Sequence, residues 1–166
     1  MKIVRMMLVA LMPMVCGVNG FAQSNQLMDY DSTTDRTILG IDVDGNGVRD
    51  DIDAYIARLP SSKIQKTALL QMAAAESLTM TVNTSDQSQM RLVAQHHVNA
   101  LACVHNRYEP GLGVQREPGL SKFARKMEIF NLSSNTTMRK QAEDKYYSAL
   151  TMYSSLPEAV GDGCLK

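Results

Sequence analysis

The sequence predicts an all-α fold, an irregular bundle of about five helices. Apolar residues recur at helical spacing through most of the chain, and no alternation of useful strand length appears. With no Trp, three Phe and six Tyr beside abundant Ala, Leu, Met and Gln, the composition suits helices and not a β-sandwich. The 166 residues, of which about 144 follow an export signal, suit one domain and argue against a multidomain enzyme.

Residues 1–22 have the three parts of that signal: Lys2 and Arg5, an apolar stretch over 6–18, and the small residues Gly20 and Ala22 before a cut. Cleavage is expected between Ala22 and Gln23, which makes the protein periplasmic or secreted. The apolar stretch, about 13 residues broken by Pro13, falls short of the roughly 20 that a spanning helix needs, so no membrane span is expected after cleavage. Cys16 follows Val15 where a lipid-anchoring site wants a small residue, which argues against a lipoprotein. The whole chain balances 17 basic against 17 acidic residues, and losing Lys2 and Arg5 leaves the mature chain near −2. That balance does not suit a polyanion partner, and no nucleic-acid binding is expected.

Residues 23–37 are polar and aperiodic and read as an extended lead-in. A single helical domain is expected over 38–166. Its first helix, over 50–59, carries Ile52, Ile56 and Leu59 on one face and stops at Pro60. Ser61 or Ser62 caps a second helix running to about residue 80, with Ile64, Ala68, Met72, Ala75 and Leu78 as its stripe. The third, over 86–108, repeats Met90, Val93, His97, Leu101 and Val104, and its length marks it as the centre of the bundle. A proline and glycine loop follows, in which Glu109-Pro110-Gly111-Leu112 recurs as Glu117-Pro118-Gly119-Leu120. The fourth helix, over 121–132, presents Phe123, Met127 and Phe130; the fifth, over 136–156, presents Met138, Ala142, Tyr146, Ala149 and Tyr153.

Before the first helix lies the one stretch with chemistry in it, residues 42–53. Asp42, Asp44 and Asn46 alternate, Gly47 permits a sharp turn, and Asp50 and Asp53 follow. Calcium is a hard cation wanting six to eight oxygens, and this spacing on a curled loop brings them together: the side chains of Asp42, Asp44 and Asn46, the Val48 carbonyl, Asp50 directly or through water, and Asp53 from the first turn of the helix. Five acids against Arg49 leave a local charge near −4, which calls for a counter-ion, here Ca2+. Asp51 lies outside this ligand set. The plainer alternative is a solvated Asp-Gly and Asn-Gly turn whose acids complement the helix start.

The loop resembles the EF-hand superfamily, D-x-[DN]-x-[DN]-G-x5-E, with Asp53 in place of the final Glu. Within it the loop is similar to the single or unconventional loops of exported bacterial proteins such as dockerins, and the opening of the first helix looks like that of uncharacterised exported bacterial proteins. The resemblance covers about residues 41–59 and implies a calcium site. Residues 37–41 are short and interrupted by Gly40 where the family has an entering helix. Arg49 stands where paired hands place an aliphatic residue against a second loop, and no second loop is present in the sequence. Asp53 is one methylene shorter than Glu, which implies weaker closure.

The mature chain keeps Cys103 and Cys164, which are expected to pair in an oxidising compartment. A Cys-His-Asp nucleophile on Cys103 is the alternative. His97 and His105 would stand about 12 Å apart along one helix and cannot share an ion, and adjacent His96 diverges by about 100°. No catalytic motif is found, and an enzyme is not expected. The reading that remains is an exported helical protein with structural calcium, acting as a binding or interaction module for a protein partner of unknown identity. An envelope inhibitor or immunity-type protein that neutralises its partner is the runner-up.

Overall fold

In the computed structural model, which describes residues 37–108, 122–153 and 155–166, the helices are α1 (Asp50–Arg58), α2 (Lys63–Thr81), α3 (Gln87–Tyr108), α4 (Lys122–Ser133) and α5 (Thr137–Leu150). No strand occurs among the described residues, so the fold is the all-α bundle that periodicity predicts. The expected export signal at 1–22, the expected lead-in to residue 36 and the repeated loop at 109–120 lie outside the described residues.

Local chemistry sets most of the boundaries. Asp50, Asp51 and Asp53 place negative charge on the first turn of α1, where the unpaired amides favour it. Leu59 ends that helix in an extended conformation, because Pro60 disfavours the helical region in the residue before it. Ser62 and Gln65 close a capping box at the start of α2, each side chain bonded to the other's main-chain amide. Asp86 accepts the amides of Ser88 and Gln89 at the start of α3, and these bonds, led by the one from the Ser88 hydroxyl, hold its carboxyl below the ordinary range. Thr136 caps α5 through the amide of Arg139.

The centre of the bundle is α2 and not the longer α3, for α2 packs against each of the other helices. Its buried positions spread around more than one stripe, and Ala68, Ala73 and Ala75 keep it thin enough for neighbours to approach from several sides. Ile64 and Leu78, read as core, are 54% and 40% exposed instead. A main core joins Val48, Ile52 and Ile56 to Leu69 and Met72 on α2, Val104 on α3 and Ile129 on α4. A smaller one holds Met90, Val93 and Tyr146.

Two helices turn a different face inward from the one their apolar residues suggest. On α4, Phe123 is 67% and Met127 39% exposed, while Arg125, Ile129 and Ser133 are buried. The inward face carries charge because α1 meets it with a partner: the Tyr55 hydroxyl donates to Glu128 Oε2 at 2.7 Å, and Arg125 pairs with the same carboxylate. On α5, Met138 is exposed and Arg139, Glu143 and Tyr146 are buried; of the expected stripe Tyr146 enters the core, Ala149 and Tyr153 pack partly buried against it, and Met138 faces out. That helix also stops at Leu150, six residues before the expected 156, in a tightened turn closed by Met152 N to Ala149 O.

Residues 155–166 are not helical and are tied to α3 by a disulfide between Cys103 and Cys164, with an S–S distance of 2.06 Å. The bond uses both thiols of the expected pair and leaves no free nucleophile at Cys103. Closing a separation of 61 residues restricts the unfolded chain by about 4 kcal/mol on the chain-entropy model.

The orientation of α4 is open to test by denaturant unfolding. Ile129→Ala should cost about 2–5 kcal/mol as a buried truncation, and Phe123→Ser about 0.5 kcal/mol or less. The reverse order would restore the face that apolar periodicity suggests.

Candidate calcium loop

The loop at 42–53 is organised by its first carboxylate. Asp42 Oδ1 accepts the amides of Gly45 at 2.8 Å and Asn46 at 3.2 Å, and Oδ2 accepts that of Gly47 at 2.9 Å. Following a side chain this closely requires the main chain to enter the left-handed region at Gly45, φ 71°, and Gly47, φ 83°, where residues with a Cβ are strained. The neck is closed by Asp50 N to Ile41 O at 2.9 Å, and Asp50 Oδ1 accepts the amide of Val43 at 3.0 Å.

Asn46 stands at the middle of the acidic side chains. Its Oδ1 accepts the Val48 amide at 2.7 Å, while Nδ2 donates to Asp44 Oδ2 at 3.1 Å and to Asp53 Oδ2 at 2.8 Å. The fold thus links Asp42, Asp44, Asn46 and Asp53 through one turn, and Asp50 is held at its neck. Val48 is a core residue by its side chain. Asp51 points elsewhere, to Arg49. Among the described residues no three His, Cys, Asp or Glu side chains converge as a preformed metal group.

Electrostatics separate the two ends of the loop. Desolvation is the largest effect on Asp42 and pushes its carboxyl up, yet the bonds from Gly47, Gly45, Asp44 and Asn46 together hold it below the ordinary range. Desolvation likewise leads at Asp53 and is only partly offset by the Asn46 bond; with repulsion from Asp44, Asp42 and Asp50 added, that carboxyl is pushed up. A divalent cation would remove the repulsion, and a set of carboxylate and amide oxygens is the donor chemistry calcium takes.

Two arginines that the sequence did not single out as anchors fix the loop in the bundle. Arg49, 3% exposed, donates to the last carbonyls of α4, Leu132 O at 2.8 Å and Ser133 O at 3.5 Å. Its side chain is thereby docked on a helix end. Arg139, fully buried on α5, donates to Ile38 O at 3.0 Å and Thr37 O at 3.1 Å, holding a non-helical entering segment. Between the loop and α2 runs a groove of about 500 Å³ walled by Leu39, Gly47, Ala74, Ser77 and Leu78.

A second polar constellation lies inside the bundle. Glu76 Oε1 meets His97 Nε2 at 3.0 Å, and the Tyr147 hydroxyl lies 3.3 Å from the same nitrogen. Burial first, then the charge of Glu76, pushes the Tyr146 hydroxyl up to about 12, and the same causes with Glu143 added push Tyr147 higher still. Glu143 is itself raised, by desolvation foremost and by Glu76, against the pull of Lys140 at 2.9 Å. In the sequence His97 was legible as a position on the apolar stripe of α3 and as one of a histidine group that cannot share an ion; Glu76 and Glu143 carried no signal.

The chain matches no family model, no curated protein and no solved structure in the comparisons made with them.

The raised carboxyl on α5 has a definite sign. For Glu143 the protonated form is the one the fold prefers, so its contribution is fully present below the unfolded value of 4.5 and is lost as pH rises through the higher folded value. Glu143→Gln makes that neutrality permanent. In thermal melts between pH 4 and 8 the variant should match the wild type at the acid end and exceed it at the neutral end; parallel curves would mean the carboxylate carries no burial penalty.

Proposed function

We propose that this is an exported helical protein whose loop at 42–53 binds calcium as a structural ion and which acts as a binding or interaction module for another protein. The observation that carries the reading is the place of Asn46: its amide donates to both Asp44 and Asp53, where a cation would otherwise bridge the acidic side chains. Asp42, Asp44, Asn46, the Val48 carbonyl, Asp50 and Asp53 would hold the ion, with the Asn46 amide turned to offer its oxygen. Calcium would supply charge neutralisation and a fixed turn, and no catalytic step is assigned to it.

Export is supported by the leader pattern at 1–22 and by the disulfide, since such bonds persist in oxidising compartments. A binding role is supported by the groove between the loop and α2, one wall of which the ion would stiffen. Exposed Leu39 and Leu78 at its edges offer apolar contact.

The Asp53 closure and the single loop place the affinity at the weak end for extracellular sites, with a dissociation constant of roughly 10⁻⁴ to 10⁻³ M. At about 1 mM calcium the stabilisation is then roughly 0.4 to 1.4 kcal/mol, or a few degrees in melting temperature. Calorimetric titration and melts of the mature chain provide the test. Asp42→Ala should abolish the calcium-dependent gain. Asp51→Asn, which weakens the pair with Arg49, should lower the baseline stability yet keep the gain. Equal loss in both would reduce the loop to diffuse acidity, and a wild type indifferent to several millimolar calcium would end the reading.

A further inference from the structure

Residues 158–165 lie against α2 and α3 as a peptide lies in a receptor, its main chain read by side chains of the helices. Gln95 Nε2 donates to Glu158 O at 2.8 Å, Asn99 Oδ1 accepts the Val160 amide at 2.9 Å, and Asn106 Nδ2 donates to Asp162 O at 3.0 Å. Gln71 uses both ends of one amide, donating to Gly163 O at 2.7 Å and accepting from Leu165 N at 2.9 Å. Arg107 pairs with the Asp162 carboxylate at 2.7 Å.

The contact also discriminates by sequence. Gly163 is buried with φ 80°, and a Cβ there would run into the Asn99 carbonyl oxygen, come within 2.8 Å of Ala102 Cβ and within 2.9 Å of the Cys103 amide. Only glycine fits, preceded by an acid that meets Arg107 and followed by a cysteine that meets Cys103.

Apolar burial hardly contributes to this docking. Leu156, Val160 and Leu165 are 52%, 71% and 72% exposed. Polar bonds at the surface exchange freely with water and hold a segment weakly. The covalent bond is therefore what keeps the segment in place, and its outer sulfur, on half-buried Cys164, is the one a thiol can reach, whereas Cys103 is 2% exposed.

From these observations we infer that residues 158–166 form a thiol-controlled strap whose opening leaves the helices folded and bares on α2 and α3 a site that accepts the strap of a second copy of this chain. A low-molecular-weight thiolate attacks the Cys164 sulfur, forming a mixed disulfide there while Cys103 leaves as a thiolate. Cys103 of one copy then attacks the mixed disulfide on Cys164 of another, and the small thiolate is released. One S–S bond breaks and one forms at each step, so no oxidant is consumed.

The full-length Cys164→Ser variant, whose strap cannot lock, is the reagent for the test. It is offered synthetic peptides spanning 157–166 whose cysteine carries glutathione, and adducts at Cys103 are timed by mass spectrometry. The native peptide should couple about tenfold faster than one with Gly163→Ala, or than one of scrambled order. Hydrogen exchange on the variant should show 158–166 unprotected while α2 and α3 keep their protection. Wild-type chains, light and isotopically heavy, reshuffled together in a thiol–disulfide buffer at high concentration should yield mixed pairs joined from Cys103 to Cys164. Equal coupling of the three peptides, a strap still protected in the variant, helices that lose protection with it, or closure only within single chains would each overturn the inference.

Discussion

Two buried guanidinium groups hold the acidic loop at 42–53 against the bundle. Arg49 and Arg139 are 3% and 0% exposed; beside its side-chain partner, Asp51 or Asn135, each donates to main-chain carbonyls, Arg49 at the end of α4 and Arg139 at Thr37 and Ile38. For Arg49 the arrangement is favourable twice, because the last carbonyls of a helix lack partners and carry partial negative charge. For Arg139 the helix dipole opposes it, since a cation in the first turn of α5 costs about 0.3–1 kcal/mol. Hydrogen bonds to a charged donor are worth about 1.5–3 kcal/mol each, so the carbonyls of Thr37 and Ile38 outweigh that cost. With both ends pinned, the loop between them can remain exposed and acidic without drifting from α2.

The same logic runs through the interior. Charged side chains enter the bundle wherever a neighbouring helix supplies a partner: Arg125 and Glu128 meet Tyr55, and Glu76 meets His97. These pairs join α1 to α4, distant in sequence, and the consecutive helices α2 and α3. On α4 and α5 it is Arg125 and Arg139 that face inward, while Phe123 and Met138 face out. A ranking of faces by apolar content therefore misplaces α4 and the first part of α5, although it places α1, α3 and the later part of α5 correctly. Both α1 and α3 bury mainly aliphatic side chains, where hydrophobicity and burial agree. In α2 the stripe was too narrow, because a central helix is covered on more than one side.

The loop shows the same division between near and far. Its carboxylates, its glycines and the alternation of Asp42, Asp44 and Asn46 are properties of a dozen consecutive residues, so they could be read along the chain. The turn obeys them, with both glycines at positive φ and the Asp42 carboxylate gathering three amides. Arg49 was legible only as a departure from a pattern. Its partner is the end of α4, more than eighty residues away, and nothing in the local sequence announces a helix end as the surface it docks on.

By itself the sequence determined the all-α class, the starts and stops of most helices, the turn at 42–53 and the pairing of Cys103 with Cys164. The helix ends and the turn follow from short-range chemistry, caps, proline or glycine at positive φ, and the pairing from the two thiols that lie outside the expected leader. Tertiary structure alone decided that α2 is the hub, which faces of α4 and α5 are buried, and that arginines anchor the loop. The reason is that burying a charge is costly until a partner is present, and for Arg49, Arg139 and Glu76 the partner comes within reach only when separate segments of the chain pack together.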